Sequence, residues 1–509
     1  MNDTAPTGRP GATRPVLVVV CIALATVVSA MASLNVALPS IARDTHATQT
    51  QLSWIIDAYS LVFASLLLLG GSLGDRYGRR RTLLAGLVVF GAGSAAAMTA
   101  SDPAWLIALR GCLGLGAALV MPATLWTITA TFPAEQKPRA IGTWAGVAGA
   151  SAIVGVLFSG AILEFWSWRA VFALNVVLAA VAVIGTLRFI PETADRHAPR
   201  IDYTGALITV AGLGILVYSV IEAPTRGWAD AATIAGIAAG LVVLAGFVVW
   251  ELRRANPLLD PRLFTNRAFS AGTLSIAVQF FAFFGFVFLM LQYMQIVRGD
   301  SPLIAAVSLL PIGPSMMVCA RAVSPRLAVR AGQLKTCVLG LALLTAGLIV
   351  LSRLNESSPY PLLLAGLIPL GAGMGLAMTP ATGAITDALP AAKQGVGSAM
   401  NDLARELGGA VGIAVLGSLL QSGYRSNLNP AGLPPAQADQ ARSSVALATQ
   451  LGGPVAHQAR HAFSLGMQSA LLGAAILVAL GAIGVAVLLK GHSATAASKQ
   501  DADIEVNAA

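Results

Sequence analysis

Five charged side chains lie within stretches of the chain that are otherwise apolar. Asp57 and Arg110 stand in separate stretches, whereas Asp402, Arg405 and Glu406 stand together in a third. A charge near the middle of a lipid bilayer costs several kcal/mol, so each of these residues needs a reason to be there. Their types indicate one kind of chemistry, the binding and release of protons or of other small cations.

Asp402 and Glu406 are one helical turn apart and therefore share a face of their predicted helix, with Arg405 beside that face. Two carboxylates at this separation, in a cavity with little water, resist being ionised at the same time. We therefore expect the pair to take up and release a proton, or to attract a cationic ligand. The alternative interpretation is that this segment lies close to the cytoplasm, where water or loop arginines neutralise both charges.

Asp57 and Arg110 are predicted at similar depths in the second and fourth apolar segments, towards the outer side of the membrane. If they pair, each lowers the cost of removing the other from water. On the functional interpretation, Asp57 binds a proton or a cation and Arg110 tunes that binding. On the structural interpretation, the two residues form a fixed ion pair, or Asp57 is wetted at the membrane surface.

The elements that must hold these residues are membrane-spanning helices. The chain has 509 residues, of which 56% are hydrophobic and 11% are charged, whereas a soluble domain usually carries about 25% charged residues. About fourteen apolar segments have the length, roughly 17–25 residues, that crosses a bilayer as a helix. The sequence therefore predicts an all-α membrane protein with fourteen transmembrane helices.

Charge distribution and cysteine usage limit the possible functions. Most of the 32 Lys and Arg residues fall in the tails and in alternate loops on one side, which the positive-inside rule makes the cytoplasmic side. The net charge of +9 therefore reflects topology, with both termini cytoplasmic, rather than nucleic-acid binding. None of the four cysteines falls in a predicted outer loop, so no disulfide framework is expected. Because no metal-ligand spacing or catalytic motif occurs, we expect neither an enzyme nor a bound cofactor or metal.

Two motifs occur twice in the chain at nearly the same separation. Residues 73–78 (LGDRYG) recur as residues 327–332 (LAVRAG), and Pro122-Ala123-Thr124 recurs as Pro380-Ala381-Thr382. Duplicated halves are typical of transporters, although runs of small residues also occur simply because they let helices pack closely. The predicted divisions are a cytoplasmic tail (1–15), a six-helix half (16–190), a two-helix insertion with cytoplasmic linkers (191–267), a second six-helix half (268–489) with a polar outer loop (421–461), and a disordered cytoplasmic tail (490–509).

The first copy of the repeated motif lies in a charged turn between the second and third apolar segments. This turn, residues 71–81, cannot itself enter hydrocarbon, and its glycines and charges favour a hinge between helices that move. Asp75 is expected to stabilise one conformation by interacting with the arginines that follow it; simple topology is the alternative. The residues assigned to this gating loop are Gly71, Asp75, Arg76, Gly78, Arg79 and Arg80.

Together these motifs resemble those of the major facilitator superfamily, in particular its fourteen-span drug:proton antiporters, which export quaternary ammonium compounds and other toxic molecules. The gating loop is similar to the family's loop between spans 2 and 3. Three further segments are similar to its spans 1, 2 and 13: Leu34–Pro39, Trp54–Leu61 and Asn401–Gly409. The resemblance covers nearly the whole chain and implies a major facilitator fold, with helices arranged 6+2+6, acting as a monomer in the inner cell membrane.

The same resemblance implies multidrug efflux driven by proton influx, with two halves that expose a central cavity alternately to either side of the membrane. The implied partners are small-molecule substrates, protons and the lipid bilayer. Asn35, Tyr59, Phe284 and Met290 are candidates for a pocket that holds large amphiphiles, because aromatic and methionine side chains adapt to varied shapes. Lipid contact is the alternative explanation for the phenylalanines around Phe284.

Three positions depart from the family pattern. Ala30 stands where the family commonly has an acid, Val156 replaces a proline, and the usual glutamine before Gly114 is absent. Gly155 and Gly160 are still expected to allow close helix contact between the two halves. The missing acid favours an alternative function, the dedicated export of a single secondary metabolite or antibiotic. A nutrient-uptake symporter and a non-transporting membrane receptor are the remaining alternatives.

Overall fold

The structure is a computed structural model of the chain. It describes residues 13–508 except 134, 193–200, 255–256, 390–393 and 431–432, and it describes no side chain at positions 75, 138, 145, 149, 334, 394–396, 398 and 489–508. Most of the predicted tail 1–15, and parts of the predicted linkers and outer loop, therefore lie outside the described residues.

All regular structure in the described residues is helical, and none of these residues forms a strand. Three short turns of other helix types occur: a 3₁₀ turn at Pro261–Thr265 and π-helical turns at Tyr293–Val297 and Cys319–Val323. In chain order the α-helices are α1 (Thr13–Thr45), α2 (Gln49–Tyr77), α3 (Arg79–Ala97), α4 (Pro103–Thr131), α5 (Lys137–Phe165), α6 (Arg169–Phe189), α7 (Tyr203–Arg226), α8 (Ala231–Leu252), α9 (Arg267–Gln292), α10 (Pro302–Ser308), α11 (Ile312–Val318), α12 (Ser324–Ala331), α13 (Gln333–Leu351), α14 (Tyr360–Asp387), α15 (Gln394–Asn427), α16 (Pro435–Ser443), α17 (Val445–Gln450) and α18 (Gly453–Ala508).

Helix starts are set by short polar side chains. The Thr48 hydroxyl accepts a hydrogen bond from the Gln51 amide while the Gln51 side chain accepts one from the Thr48 amide, which forms a capping box at the start of α2. The side chains of Asp102 and Asn266 accept hydrogen bonds from backbone amides in the first turns of α4 and α9, so each is the N-cap of its helix. Between caps the helices are apolar on most faces, which suits hydrocarbon because a helix satisfies its own backbone groups.

Within the described residues, twelve helical segments are long and apolar enough to cross a membrane, so the predicted count of fourteen is not confirmed. One of the twelve, Pro302–Ala331, comprises α10 to α12. The two predicted segments that are not among the twelve correspond to α3 and α13. The first turn of α3 contains three arginines, and the apolar part of α13, Lys335–Leu351, is shorter than the others.

The chain forms two compact units. Unit 1 comprises Met1–Leu216, Ala235–Leu259 and Gly299–Val307, and unit 2 comprises Val217–Ile234, Asp260–Arg298 and Ser308–Ala509. Helices α7 and α8, which were predicted to form a separate insertion, are therefore each shared between the units. The predicted domain boundaries stay a prediction.

The same packing pattern occurs in both units. In unit 1, α1 packs against α5 and α6, α3 packs against α4 and α6, and α2 packs against α4. In unit 2, α9 packs against α15 and α18, α13 packs against α14 and α18, and α11 packs against α14. Gly86 meets Gly116 between α3 and α4, just as Gly340 meets Gly373 between α13 and α14. This correspondence supports the internal duplication that the repeated motifs predicted.

The repeated motif itself ends in the same backbone geometry both times. Gly78 has φ +107° between α2 and α3, and Gly332 has φ +87° between α12 and α13. Residues other than glycine rarely adopt these φ angles. Glycine therefore allows one helix to end and the next to begin without a loop between them. The two copies of the motif therefore form equivalent turns.

The last described helix reaches the C-terminal stretch. Helix α18 continues to Ala508, and the prediction of a disordered tail at residues 490–509 stays a prediction. The apolar part of this helix ends at Leu488. The remaining stretch is rich in alanine, which has the highest helix propensity of the amino acids.

Substitution of the two turn glycines tests this geometry. Gly78→Ala and Gly332→Ala are each expected to lower the free energy of unfolding by about 1–3 kcal/mol, because alanine is strained at these φ angles. Gly142→Ala is the matched control: an added Cβ meets nothing within 4 Å in α5, and alanine favours a helix by about 1 kcal/mol over glycine. Thermal unfolding of the purified protein in detergent measures all three. Equal unfolding temperatures would contradict the assigned turns.

Candidate functional site

Asp57 is the most isolated charged group of unit 1. It lies in α2, its side chain is 0% exposed, and neither carboxylate oxygen has a hydrogen-bond partner among the described residues. An ionised carboxylate in such a place is very costly unless something neutralises it. We therefore expect the Asp57 carboxylate to bind a proton or a cation.

Arg110 lies in α4 and is 1% exposed. Its Nε donates a hydrogen bond to the Ile55 carbonyl oxygen at 2.8 Å, and its guanidinium carbon lies 4.4 Å from the centroid of the Tyr59 ring. Its Nη2 has no partner among the described residues. Backbone and ring contacts with α2 thus hold the guanidinium.

The predicted pair between Asp57 and Arg110 is not formed in this structure. Ile55 and Tyr59 are four residues apart and share the face of α2 that meets α4, whereas Asp57 lies about 200° around the helix from Ile55. Gly114 confirms which face is turned to α4, because a Cβ there would collide with the Tyr59 carbonyl oxygen. The sequence suggested the pair because Asp57 and Arg110 have a similar depth in the membrane. The pair is not formed because Asp57 lies on a different face of α2 from the one that meets α4.

The other two candidates in unit 1 have unequal surroundings. Tyr59 is buried, and its hydroxyl donates to the Val27 carbonyl oxygen at 3.1 Å, so it joins α2 to α1. Asn35 is buried in α1, where its Nδ2 donates to the Met31 carbonyl oxygen and its Oδ1 has no partner among the described residues. Asn35 therefore has one buried acceptor without a partner among the described residues, and its place in a pocket stays a prediction.

The glycines of α5 pack inside unit 1. A Cβ at Gly155 would lie 2.8 Å from the Cα atom of Ser29 in α1, and one at Gly160 would lie 3.0 Å from the Cα atom of Leu303. Both partners belong to unit 1. Gly155 therefore meets α1 of its own predicted half, whereas Gly160 meets a residue of the predicted second half. The assignment of both glycines to an interface between the halves stays a prediction. With Val156 in place of proline, α5 is continuous from Lys137 to Phe165.

The three charged residues of α15 form one cluster in unit 2. Arg405 lies between the two acids, with its Nη1 3.5 Å from an oxygen of Asp402 and its Nη2 3.1 Å from Oε1 of Glu406. The Glu406 side chain is 2% exposed, and its Oε2 has no partner among the described residues. One arginine thus forms ion pairs with two carboxylates, and the buried Oε2 of Glu406 remains without a partner among the described residues.

Glycines of α15 bring this cluster close to α9. A Cβ at Gly408 or Gly412 would collide with the carbonyl oxygen of Ala277 or Phe281, so the two backbones nearly touch. Of the predicted pocket residues, Phe284 is partly exposed and packs on α15, whereas Met290 is fully buried in the core of unit 2. Met290 is therefore a packing residue in this structure.

The gating loop is attached to α4 and α6 within unit 1. Arg79 lies over the Trp126 ring at 4.8 Å, Arg80 donates to the Leu187 carbonyl oxygen at 2.8 Å, and Arg81 approaches Glu192 at 3.6 Å. Arg76 is exposed, and Gly71 faces Pro122 of α4. The Asp75 side chain lies outside the described residues, so its predicted role in gating stays a prediction.

Sequence reasoning missed several buried polar groups, among them Gln279 and Glu251. Gln279 in α9 donates to Ser275, which contacts Cys337 at 3.1 Å, and the Gln279 Oε1 has no partner among the described residues. Glu251 at the end of α8 is also buried with one free oxygen. The signal for both was the one that identified Asp57, a polar residue inside an apolar segment.

Comparison with known proteins agrees with the fold and shows the family. The family model described as Major Facilitator Superfamily matches residues 20–413, and the chain belongs to this family. It is 36% identical over 463 residues to the multidrug efflux pump LfrA of Mycolicibacterium smegmatis, covering 88% of this chain and 91% of that protein. It is 33% identical over 420 residues to the tetracenomycin C resistance and export protein of Streptomyces glaucescens, covering 82% and 78%.

A solved structure supports the fold independently. The crystal structure of a bacterial homologue of the human lysosomal transporter Spinster matches with a TM-score of 0.65 at 14% identity, over 94% of this chain and 98% of that one. Similarity at this identity concerns the fold alone. Together with the family, it indicates a multi-pass membrane transporter rather than an enzyme.

A double-mutant cycle tests the cluster on α15. Arg405→Met is expected to lower the free energy of unfolding by about 3 kcal/mol, because two carboxylates lose their counter-charge. Adding Glu406→Gln should recover part of this loss, giving a coupling energy of about 1–3 kcal/mol. The matched control is the exposed pair Arg81–Glu192, for which about 0–1 kcal/mol is expected. Thermal unfolding in detergent measures both cycles, and equal coupling energies would contradict a buried pair.

Proposed function

We propose that this protein exports toxic lipophilic and cationic compounds, including quaternary ammonium antiseptics, across the inner membrane in exchange for protons. The observation that carries the proposal is Asp57, a fully buried carboxylate without a hydrogen-bond partner among the described residues. Relatives named as an efflux pump and as an export protein support the direction of transport.

One buried carboxylate can serve both ions in turn. Because an unpaired charge at Asp57 is costly, the group must hold either a proton or a cationic substrate. A single negative charge cannot neutralise both at once, so binding of one displaces the other. This competition is the simplest physical basis for exchange, and alternating access then carries each ion in its own direction.

The cluster on α15 provides a second place for the same exchange. Asp402 and Glu406 carry two negative charges when ionised, and Arg405 supplies one positive charge. Glu406 Oε2 is buried without a partner among the described residues. A proton or a cation at this oxygen would balance the charge of the cluster.

The fourteen-span arrangement is part of the proposal. Helix α3 packs against α4 and α6, and α13 packs against α14 and α18. These four neighbours are all long and apolar enough to span the membrane. If α3 and α13 cross the membrane with their neighbours, the chain has an even number of spans in the order 6+2+6. The distribution of Lys and Arg then places both termini in the cytoplasm. We further propose that the protein acts as a monomer.

A second candidate function is the export of one secondary metabolite. Ala30 is buried in α1 where the family commonly has an acid, so the cavity has one negative charge fewer to attract dications. The similarity to a tetracenomycin C export protein is in line with this candidate. The two functions share a mechanism and differ in the breadth of substrates.

Charge removal at Asp57 tests the principal proposal. In cells that lack their own pumps, Asp57→Asn is expected to slow ethidium efflux by about tenfold or more, which corresponds to about 1.4 kcal/mol. Asp102→Asn is the matched control, because Asp102 is an exposed cap of α4 and asparagine caps a helix equally well. Efflux is compared at equal amounts of protein in the membrane. Wild-type efflux by Asp57→Asn would contradict the role of this charge.

Proton coupling is tested separately in everted vesicles with an acidic interior. Addition of ethidium or benzalkonium is expected to dissipate the proton gradient, because each cation that enters releases a proton. Vesicles with Asp57→Asn serve as the control and should not respond. No response to a broad panel of cations, with well-expressed protein, would favour the dedicated exporter.

A further inference from the structure

A second pair of carboxylates lies in unit 1, where α7 begins and α8 ends. Asp202 and Glu251 are both buried, and Glu251 is 0% exposed. Neither belongs to the proton and substrate site proposed above. The pair sits at the end of the two helices that separate the duplicated halves in the sequence.

Asp202 has partners for both of its oxygens. Oδ1 accepts a hydrogen bond from the Gly205 amide at 2.9 Å, and Oδ2 accepts one from the Trp250 indole N–H at 2.8 Å. Arg254 approaches Oδ2 at 3.6 Å and lies 4.1 Å above the Trp250 ring. Both Asp202 oxygens therefore accept hydrogen bonds, and Oδ2 also faces a guanidinium.

Glu251 is only half satisfied. Its Oε2 accepts a hydrogen bond from the Leu259 amide at 3.2 Å, whereas its Oε1 has no partner among the described residues. A Cβ at Gly205 would collide with this Oε1 and would lie 3.1 Å from Oδ2 of Asp202. The free oxygen of Glu251 and the carboxylate of Asp202 therefore converge on the same glycine.

Among the described residues, the charges around Glu251 do not balance if it is ionised. The described charged groups that face it are Asp202 at the start of α7 and Arg254 after α8, and Leu258 and Leu259 contribute backbone amides. Two carboxylates and one guanidinium leave a net negative charge in a buried place. A proton on Glu251 would remove that charge and would give Oε1 a hydrogen to donate.

We propose that Glu251 and Asp202 form a second proton-binding site, in which the proton is held on Glu251 beside the ionised Asp202. In the step that empties the site, the Glu251 O–H bond breaks, the proton passes to water, and both electrons stay on the carboxylate. The new negative charge repels Asp202 and separates the start of α7 from the end of α8. The site does not use Asp57 or the α15 cluster, so its test requires no transport.

The test follows the indole of Trp250, which is hydrogen-bonded to the pair. The full-length protein is purified with 5-fluorotryptophan at its eight tryptophans, and Trp250→Phe identifies the ¹⁹F resonance of Trp250. In a titration from about pH 5 to about pH 9, chosen to lie above the range of ordinary carboxyl groups, we expect this resonance to move in one transition. Glu251→Gln, which keeps the shape of the side chain, should abolish the transition.

Two further variants complete the test. Glu222→Gln is the matched control, because Glu222 is on the same helix, about 30 Å along α7 from Asp202; its transition should equal that of the wild type. Asp202→Asn keeps the helix cap but removes the like charge, so the transition should move to lower pH by about 1 pH unit. If Glu251→Gln fails to fold, the midpoint measured for Asp202→Asn tests the proposed site instead.

Sodium titration at constant pH and ionic strength separates a proton site from a metal-cation site. Exchange of choline chloride for sodium chloride is expected to leave the Trp250 resonance unmoved. A sodium-dependent shift would overturn the assignment of the ligand as a proton. A wild-type resonance without a transition, a transition that survives Glu251→Gln, or an unchanged midpoint in Asp202→Asn would overturn the site itself.

Discussion

A charge that is taken out of water must be paired, hydrogen-bonded or neutralised, and this constraint governs the placement of charged residues in the chain. Arg110 meets it with a backbone carbonyl and the Tyr59 ring, and Arg405 meets it with two carboxylates. Asp57 does not meet it with any hydrogen bond among the described residues. A group that fails the constraint in one conformation is a natural place for an ion that comes and goes.

Glycine packing sets how closely the helices that carry these groups approach their neighbours. Gly114 brings α4 onto the face of α2 that carries Tyr59, which is turned away from Asp57, and Gly408 and Gly412 bring α15 onto α9 beside the α15 cluster. Without a side chain at these points the helices lie closer together. The duplicated packing of α1 to α6 in the second half means that one architecture supports both sites.

Much of this arrangement could be predicted from the sequence, because its signals are local. The repeated LGDRYG and LAVRAG motifs predicted two equivalent turns, and the spacing of Asp402, Arg405 and Glu406 predicted a shared face. The possible pair of Asp57 with Arg110 is not formed in the structure, since depth in the membrane does not say which way a helix is rotated. Rotation is set by packing, and the decisive contact, Gly114 against Tyr59, joins residues far apart in the chain. Glu251 gave the same kind of signal as Asp57, a polar residue inside an apolar segment, but its approach to Asp202 joins residues far apart in the chain and appears only in the fold.

We propose that a proton and a cationic substrate compete for the same buried carboxyl groups, and proton release on substrate binding tests this competition most directly. Ethidium is added to the purified protein in weakly buffered detergent solution that contains a pH-sensitive dye. We expect protons to be released in proportion to bound ethidium, and Asp57→Asn to reduce this release. Saturable binding of ethidium to the wild-type protein without any proton release would exclude the competition.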